Sequence, residues 1–223
     1  MKLRATFPAA ALAAGLAFFA FLPSARPAAR SGPVLVMQDH ASQGIRLTTA
    51  SDGNEARYRV REQLARVEFP SDAIGRTNAI SGTIAFEPNG TIVKEASSFT
   101  VDLNSLKSNS DRRDNYIRRR ALETEAHPTA TFVPTSFRGL PDSLPATGDV
   151  YFQLTGDMTV HGVTKPVTWT VVARAEDGTY TGNATTSFNF QYFEMAIPRV
   201  ASVLSVVDSI TLEYDFKLVP QNQ

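Results

Sequence analysis

Cysteine is absent from the 223-residue chain, which excludes disulfides, thiolate metal sites and a cysteine nucleophile together. Histidine is scarce, with three residues, and tryptophan scarcer, with one. His40, His127 and His161 lie far apart and show no HxH or HExxH spacing, so no metal is expected and His127 and His161 read as ordinary surface groups. Also missing are the GxSxG elbow of α/β-hydrolases and the GxGxxG and GxxxxGK(S/T) loops that cradle phosphates, so no cofactor and no enzymatic activity are expected. An excess of charge of one sign is lacking too. The 22 basic and 22 acidic residues cancel, which favours neither nucleic acid nor an anionic lipid surface as partner.

What is present begins with a leader-like segment. Lys2 and Arg4 precede an uncharged apolar run over residues 8–22, and small residues follow at Ala25, Ala28 and Ala29. That is the layout of a secretory signal peptide, so residues 1–29 are expected to be removed on export to the periplasm, the cell envelope or the outside. An uncleaved anchor is the alternative, but the run falls short of the roughly 18–20 apolar residues a spanning helix needs. Without Lys2, Arg4 and Arg26 the chain carries 19 basic and 22 acidic residues, a net charge of about −3. Residues 30–53 read as a linker with room for a first strand at 44–49. Residues 54–220 form one domain, held together by packing and sheet hydrogen bonds.

Within that domain the two-residue period of a half-buried strand dominates. Over residues 148–160, Val150, Phe152, Leu154, Met158 and Val160 share one face; after a turn at residues 161–166, Val167, Trp169, Val171 and Ala173 share another. The pair predicts a long antiparallel hairpin. Residues 54–64 set Tyr58 and Val60 against an exposed ladder of Arg57, Arg59 and Arg61. Residues 80–87 and 91–103 alternate around an Asn89-Gly90 turn, the second run placing Phe99, Val101 and Leu103 inward. Residues 127–137 alternate until Pro134, which suggests an edge or a bulge. Residues 179–193 put Phe188, Phe190 and Tyr192 on one face, and 208–219 put Ile210, Leu212, Tyr214, Phe216 and Leu218 on one face. Residues 70–78 and 195–207 break the pattern.

One helix is expected, over residues 111–123, with Asp111 as N-cap and Arg118, Arg119 and Arg120 toward the C-terminal half, where the dipole favours cations. The fold class is therefore all-β, a closed antiparallel barrel of about eight strands with one short helix. Closure removes exposed edges and leaves an interior fit for side chains or one small ligand. A two-sheet sandwich is the alternative, although sandwich strands are shorter than several of these.

Certain short motifs recur in order: Arg113-Asp114-Asn115-Tyr116-Ile117, Leu122, His127-Pro128-Thr129-Ala130-Thr131-Phe132, Leu154-Thr155-Gly156 and Gly162-Val163-Thr164-Lys165-Pro166-Val167. In this combination, over residues 58–218, the chain resembles the YceI-like, or polyisoprenoid-binding, family. The resemblance implies an exported lipocalin-like barrel whose apolar lumen holds a long isoprenoid or other amphiphilic lipid.

Taken alone, Phe86, Phe99, Phe132, Phe152, Trp169, Phe188, Phe190 and Phe216 read as packed core. The resemblance turns the central ones into a lumen wall, expected from Phe86, Phe99, Val101, Phe132, Phe152, Leu154, Trp169, Val171, Phe188, Phe190 and Leu212. Burying about twenty carbons at ~0.8 kcal/mol each gives roughly 16 kcal/mol gross, which exceeds an association cost of about 4–15 kcal/mol. Arg112 and Arg113 are candidates for the barrel mouth or a lipid head-group, since guanidinium suits bidentate phosphate recognition. A salt bridge fastening the helix to the barrel is the competing reading for Arg112, Arg113 and Asp114. Arg199 either joins the same opening or is a plain loop charge. A lipid-processing enzyme and a solid-core interaction module remain the alternative functions.

Overall fold

A computed structural model describes residues 44–140 and 144–221; the leader at 1–29 and His40 lie outside them. The strands are β1 (Ile45–Thr49), β2 (Glu55–Leu64), β3 (Ser71–Thr77), β4 (Ile80–Phe86), β5 (Ser98–Asp102), β6 (Thr129–Arg138), β7 (Gly148–Val160), β8 (Val163–Glu176), β9 (Thr179–Phe188) and β10 (Val203–Pro220), with helix α1 (Asp111–Tyr116) between β5 and β6. All pair antiparallel in the order β1-β4-β5-β6-β7-β8-β9-β10, and β1 pairs again with β10 to close the ring. The β2–β3 hairpin prolongs two members of that ring, because β2 continues along β10 beyond β1 and β3 runs beside β2 as β4 runs beside β1. The expected eight-stranded barrel is therefore present, with two of its strands broken and bent.

Residues 71–77, read as a break in the pattern, form β3. Its buried positions are Ala73, Gly75 and Thr77, and such small side chains give no hydrophobic alternation. Tyr58 explains their size, since a Cβ on Gly75 would lie 2.2 Å from its ring. Three turns follow the expected chemistry. Gly90 has a positive φ beside Asn89, and His161-Gly162 and Asp177-Gly178 both have positive φ at two consecutive residues, the mirror-type turn that matches strand twist. The turn after β7 is only those two residues, shorter than expected. Pro166 lies inside β8, opposite Asp157, and is tolerated because β9 begins pairing only at Thr170.

Pro134 marks a bulge, with the β6–β7 register shifting between Pro134 and Ser136. β6 is no edge strand, being paired on both sides. Gly156 faces Pro134 there, and a Cβ on it would lie 2.4 Å from the Val133 carbonyl oxygen. The N-cap of α1 is Ser110, whose hydroxyl accepts from the Arg113 N–H at 3.3 Å, rather than Asp111. The α-helix gives way at Tyr116 to a π turn over Ile117–Ala121, and the helical segment ends close to its expected limit, before Glu123 with φ 47°. β9 also ends early. Phe190–Phe193 forms a 3-10 turn capped by the Asn189 side chain, so Phe188, Phe190 and Tyr192 do not share a strand face.

The arginine ladder of β2 is more engaged than its exposed reading suggested. Arg57 donates to Glu55, Glu213 and Asp215, and Arg59 to Glu213 and Asp72. Hydrogen bonds from Arg59 and then Arg57 hold Glu213 below its ordinary range, and Arg57 does the same for Asp215. A carboxylate depressed in the folded state stabilises the protein above its unfolded pKa, about 4, and that contribution fades as pH falls through the folded value. The melting temperature should therefore fall progressively as the pH drops below about 4. In Arg57→Met the drop should be shallower; an identical acid profile in both proteins would remove the network as its cause.

Candidate functional site

Inside the ring the inward faces do not meet. They enclose a cavity of about 1240 Å³, larger than the roughly 300–1,000 Å³ of most small-molecule sites. All eleven residues expected in the lumen wall line it: Phe86, Phe99, Val101, Phe132, Phe152, Leu154, Trp169, Val171, Phe188, Phe190 and Leu212. A solid core is thereby overturned. Trp169 meets Phe132 edge to face at 6.0 Å, and Phe99 meets Tyr214 likewise at 6.3 Å, an arrangement that fixes ring orientation around the space.

Further wall residues were placed on inward strand faces but not assigned to a site, among them Tyr58, Val60, Met158 and Tyr214. Leu47 of β1 and Leu140 and Leu144 beside the β6–β7 connection join them; loop residues carry no periodic signal by which to find them. Polar atoms in the wall are few. Trp169 Nε1 and the Tyr58 hydroxyl are enclosed and make no hydrogen bond among the described residues. Burial pushes the Tyr58 phenol up to about 12, so it stays protonated and able to donate at any ordinary pH. Burial also raises Tyr214, whose hydroxyl donates to Asn54 Oδ1 at 2.7 Å.

Charged groups gather where α1 and the β2–β3 end border the cavity: Glu62, Arg66, Arg112 and Arg113. Arg113 is committed to the protein, donating to Glu62 Oε1 at 2.7 Å and Asn109 Oδ1 at 2.6 Å. Glu62 is 8% exposed, and a buried carboxylate needs such a partner. This pair fastens α1 to β2, as the salt-bridge reading held. Asp114 takes no part in it; its carboxylate accepts from the Ser108 N–H at 2.9 Å and hydroxyl at 2.6 Å. Arg112 is exposed on the cavity border. Arg199 does not line the cavity and belongs to a shallow surface depression with Ile197 and Leu204.

His127 and His161, read as ordinary surface groups with no ligand spacing, stand with ring centroids 5.2 Å apart, and Glu123 Oε2 is 3.5 Å from His161 Nε2. Convergence arises from strand register and loop closure, which local spacing does not display. None of the three lines the cavity.

The YceI-like domain family matches residues 53–218, which takes in β2 to β9 and nearly all of β10 and leaves out β1. The chain belongs to the YceI-like family. A UPF0312 protein of Pseudomonas putida is 34% identical over 174 residues, covering 71% of this chain and 86% of that one. Among solved structures, a polyisoprenoid binding domain from Saccharophagus degradans implicated in plant cell wall breakdown superposes with a TM-score of 0.60 at 13% identity, over 79% of this chain and 99% of that one. Burkholderia cenocepacia BcnA superposes with a TM-score of 0.55 at 17% identity, over 74% and 95%. At such identities the two structures establish a shared fold. In this YceI-like barrel no helix among the described residues is long and apolar enough to cross a membrane.

Proposed function

We propose that this chain is an exported binding protein that holds an isoprenoid or similar long apolar chain in the barrel lumen, for storage or transport in the periplasm or cell envelope. The observation that carries the reading is the 1240 Å³ cavity with its nearly continuous aromatic and aliphatic wall. A long hydrocarbon gains its binding free energy from burial alone and needs no polar anchor. The S. degradans relative, described as polyisoprenoid binding, supports the ligand class, and the leader-like layout of residues 1–29 supports export.

Binding without chemistry is favoured over lipid processing because no histidine or aspartate lines the cavity among the described residues. Glu62 and Glu213, which do, are held by Arg113 and by Arg57 and Arg59 respectively. Proton transfer needs an acid or base within reach of the reacting atom.

Native mass spectrometry of protein purified from its host without detergent tests the reading. The expected result is a mass adduct that organic extraction removes and that delipidated protein regains from an isoprenoid alcohol. The intact mass of the same sample should lack residues 1–29. No adduct, together with no uptake by the delipidated protein, would overturn the carrier function.

A further inference from the structure

Outside the lumen, the end of the helical segment, the residues leading into β6 and the tip of the β7–β8 hairpin meet. Three side chains from these segments, Glu123, His127 and His161, bring one ligand atom each to within 4.8 Å of one another. We propose that they form a binding site for a divalent cation of the zinc class, with two imidazoles, one carboxylate and a remaining position open to water.

The chemistry of the donors favours this class, because neutral imidazole and carboxylate together suit borderline first-row divalent cations. A tetrahedral centre with bonds near 2.0–2.2 Å would need only a modest contraction of the present spread. The scaffold is local and closed. Both Ala126 N–H and His127 N–H donate to the Glu123 carbonyl at 2.9 Å, so Glu123 and His127 sit one turn apart on the same side. The Thr124 hydroxyl, buried within that turn, donates to Asn104 Oδ1 at 2.7 Å.

His161 arrives from the other direction. Thr131 faces Thr159 across β6 and β7, and continuing that antiparallel register carries the residues before β6 alongside the hairpin tip. Gly162 lets the imidazoles approach, since a Cβ there would stand 2.7 Å from the His127 ring. Meanwhile His161 Nε2 is enclosed and makes no hydrogen bond among the described residues, although it lies 3.5 Å from Glu123 Oε2. An enclosed ring nitrogen beside a carboxylate and a second imidazole is what a metal would satisfy.

Full-length protein carrying no affinity tag, freed of metal by chelator, can be titrated with Zn²⁺ by calorimetry and with Co²⁺ by visible absorption. One equivalent of each is expected, Zn²⁺ with a dissociation constant below about 10 μM and Co²⁺ with the intense visible bands of a four-coordinate centre. His161→Asn retains a residue that tolerates the left-handed backbone there and should bind at least about tenfold more weakly, as should His127→Gln. In the wild-type protein, Zn²⁺ should shift the imidazole proton resonances of His127 and His161 and leave those of His40 in place. This readout needs no variant to fold. Wild-type affinity weaker than that limit, variants that bind as tightly as wild type, or shifts confined to His40 would each overturn the site. Lipid uptake is a separate measurement, so failure here leaves the carrier function standing.

Discussion

Phe152→Asp is expected to abolish isoprenoid uptake by the delipidated protein, while Phe152→Leu only weakens it. Phe152 lies in the middle of β7 opposite Val171, and both line the cavity. In the empty barrel an aspartate there still meets solvent within the lumen, so the fold has a route to tolerate it. A hydrocarbon filling the space removes that solvent, and an ion stripped of water with no partner costs several kcal/mol. At about 1.4 kcal/mol per tenfold, affinity should fall by at least about a hundredfold. Leucine loses contact area without adding charge and should cost about tenfold or less. The sole tryptophan reports the event, because Trp169 sits in the same wall, two pairs along the β7–β8 ladder. Titration with an isoprenoid alcohol should give a saturable change in its emission for wild type, a weaker one for Phe152→Leu and none for Phe152→Asp. Equal titrations for all three would place the ligand elsewhere.

For stability, the largest single loss should come from Phe193→Ala. Phe193 has no exposed surface and lies edge to face with Phe188 at 4.8 Å and with Tyr192 at 5.2 Å. Because neighbouring rings are fixed by the 3-10 turn and by β9, they cannot collapse into the space left behind. A Phe→Ala change in such a site costs about 3–5 kcal/mol, against a total of about 5–15 kcal/mol for a domain. Chemical denaturation should show a lower midpoint with an unchanged slope. A loss under about 1 kcal/mol would mean that this cluster is not part of the core.

Much of this was legible because a barrel imposes one rule on nearly every strand. β7, β8 and the second half of β10 announce themselves by strict alternation, and the wall residues follow from the same face. Where the rule was satisfied by small side chains it became invisible, as at Ala73 and Gly75 of β3. At the end of β9 the alternation persisted in the residue types while the chain turned at Asn189; aromatic content alone does not reveal a change of backbone conformation. The arginines of β2 looked solvated because their partners, Glu213 and Asp215, lie more than 150 positions away. The convergence of Glu123, His127 and His161 was hidden as well, since a hairpin tip and a helix end meet only once the register of β6 and β7 is known.

Strand β10 borders β9 along one side and β2 followed by β1 along the other. It is the last of the described strands in chain order, and Leu47 pairs with Pro220 across the seam. Until these residues emerge, the sheet that runs from β1 through β4 to β9 has two unpaired borders and encloses nothing. Such borders invite pairing with other chains, and closure between distant segments is slow. The interior thus comes into being in a single late step, and whatever occupies it must arrive at, or after, the moment the seam is sewn.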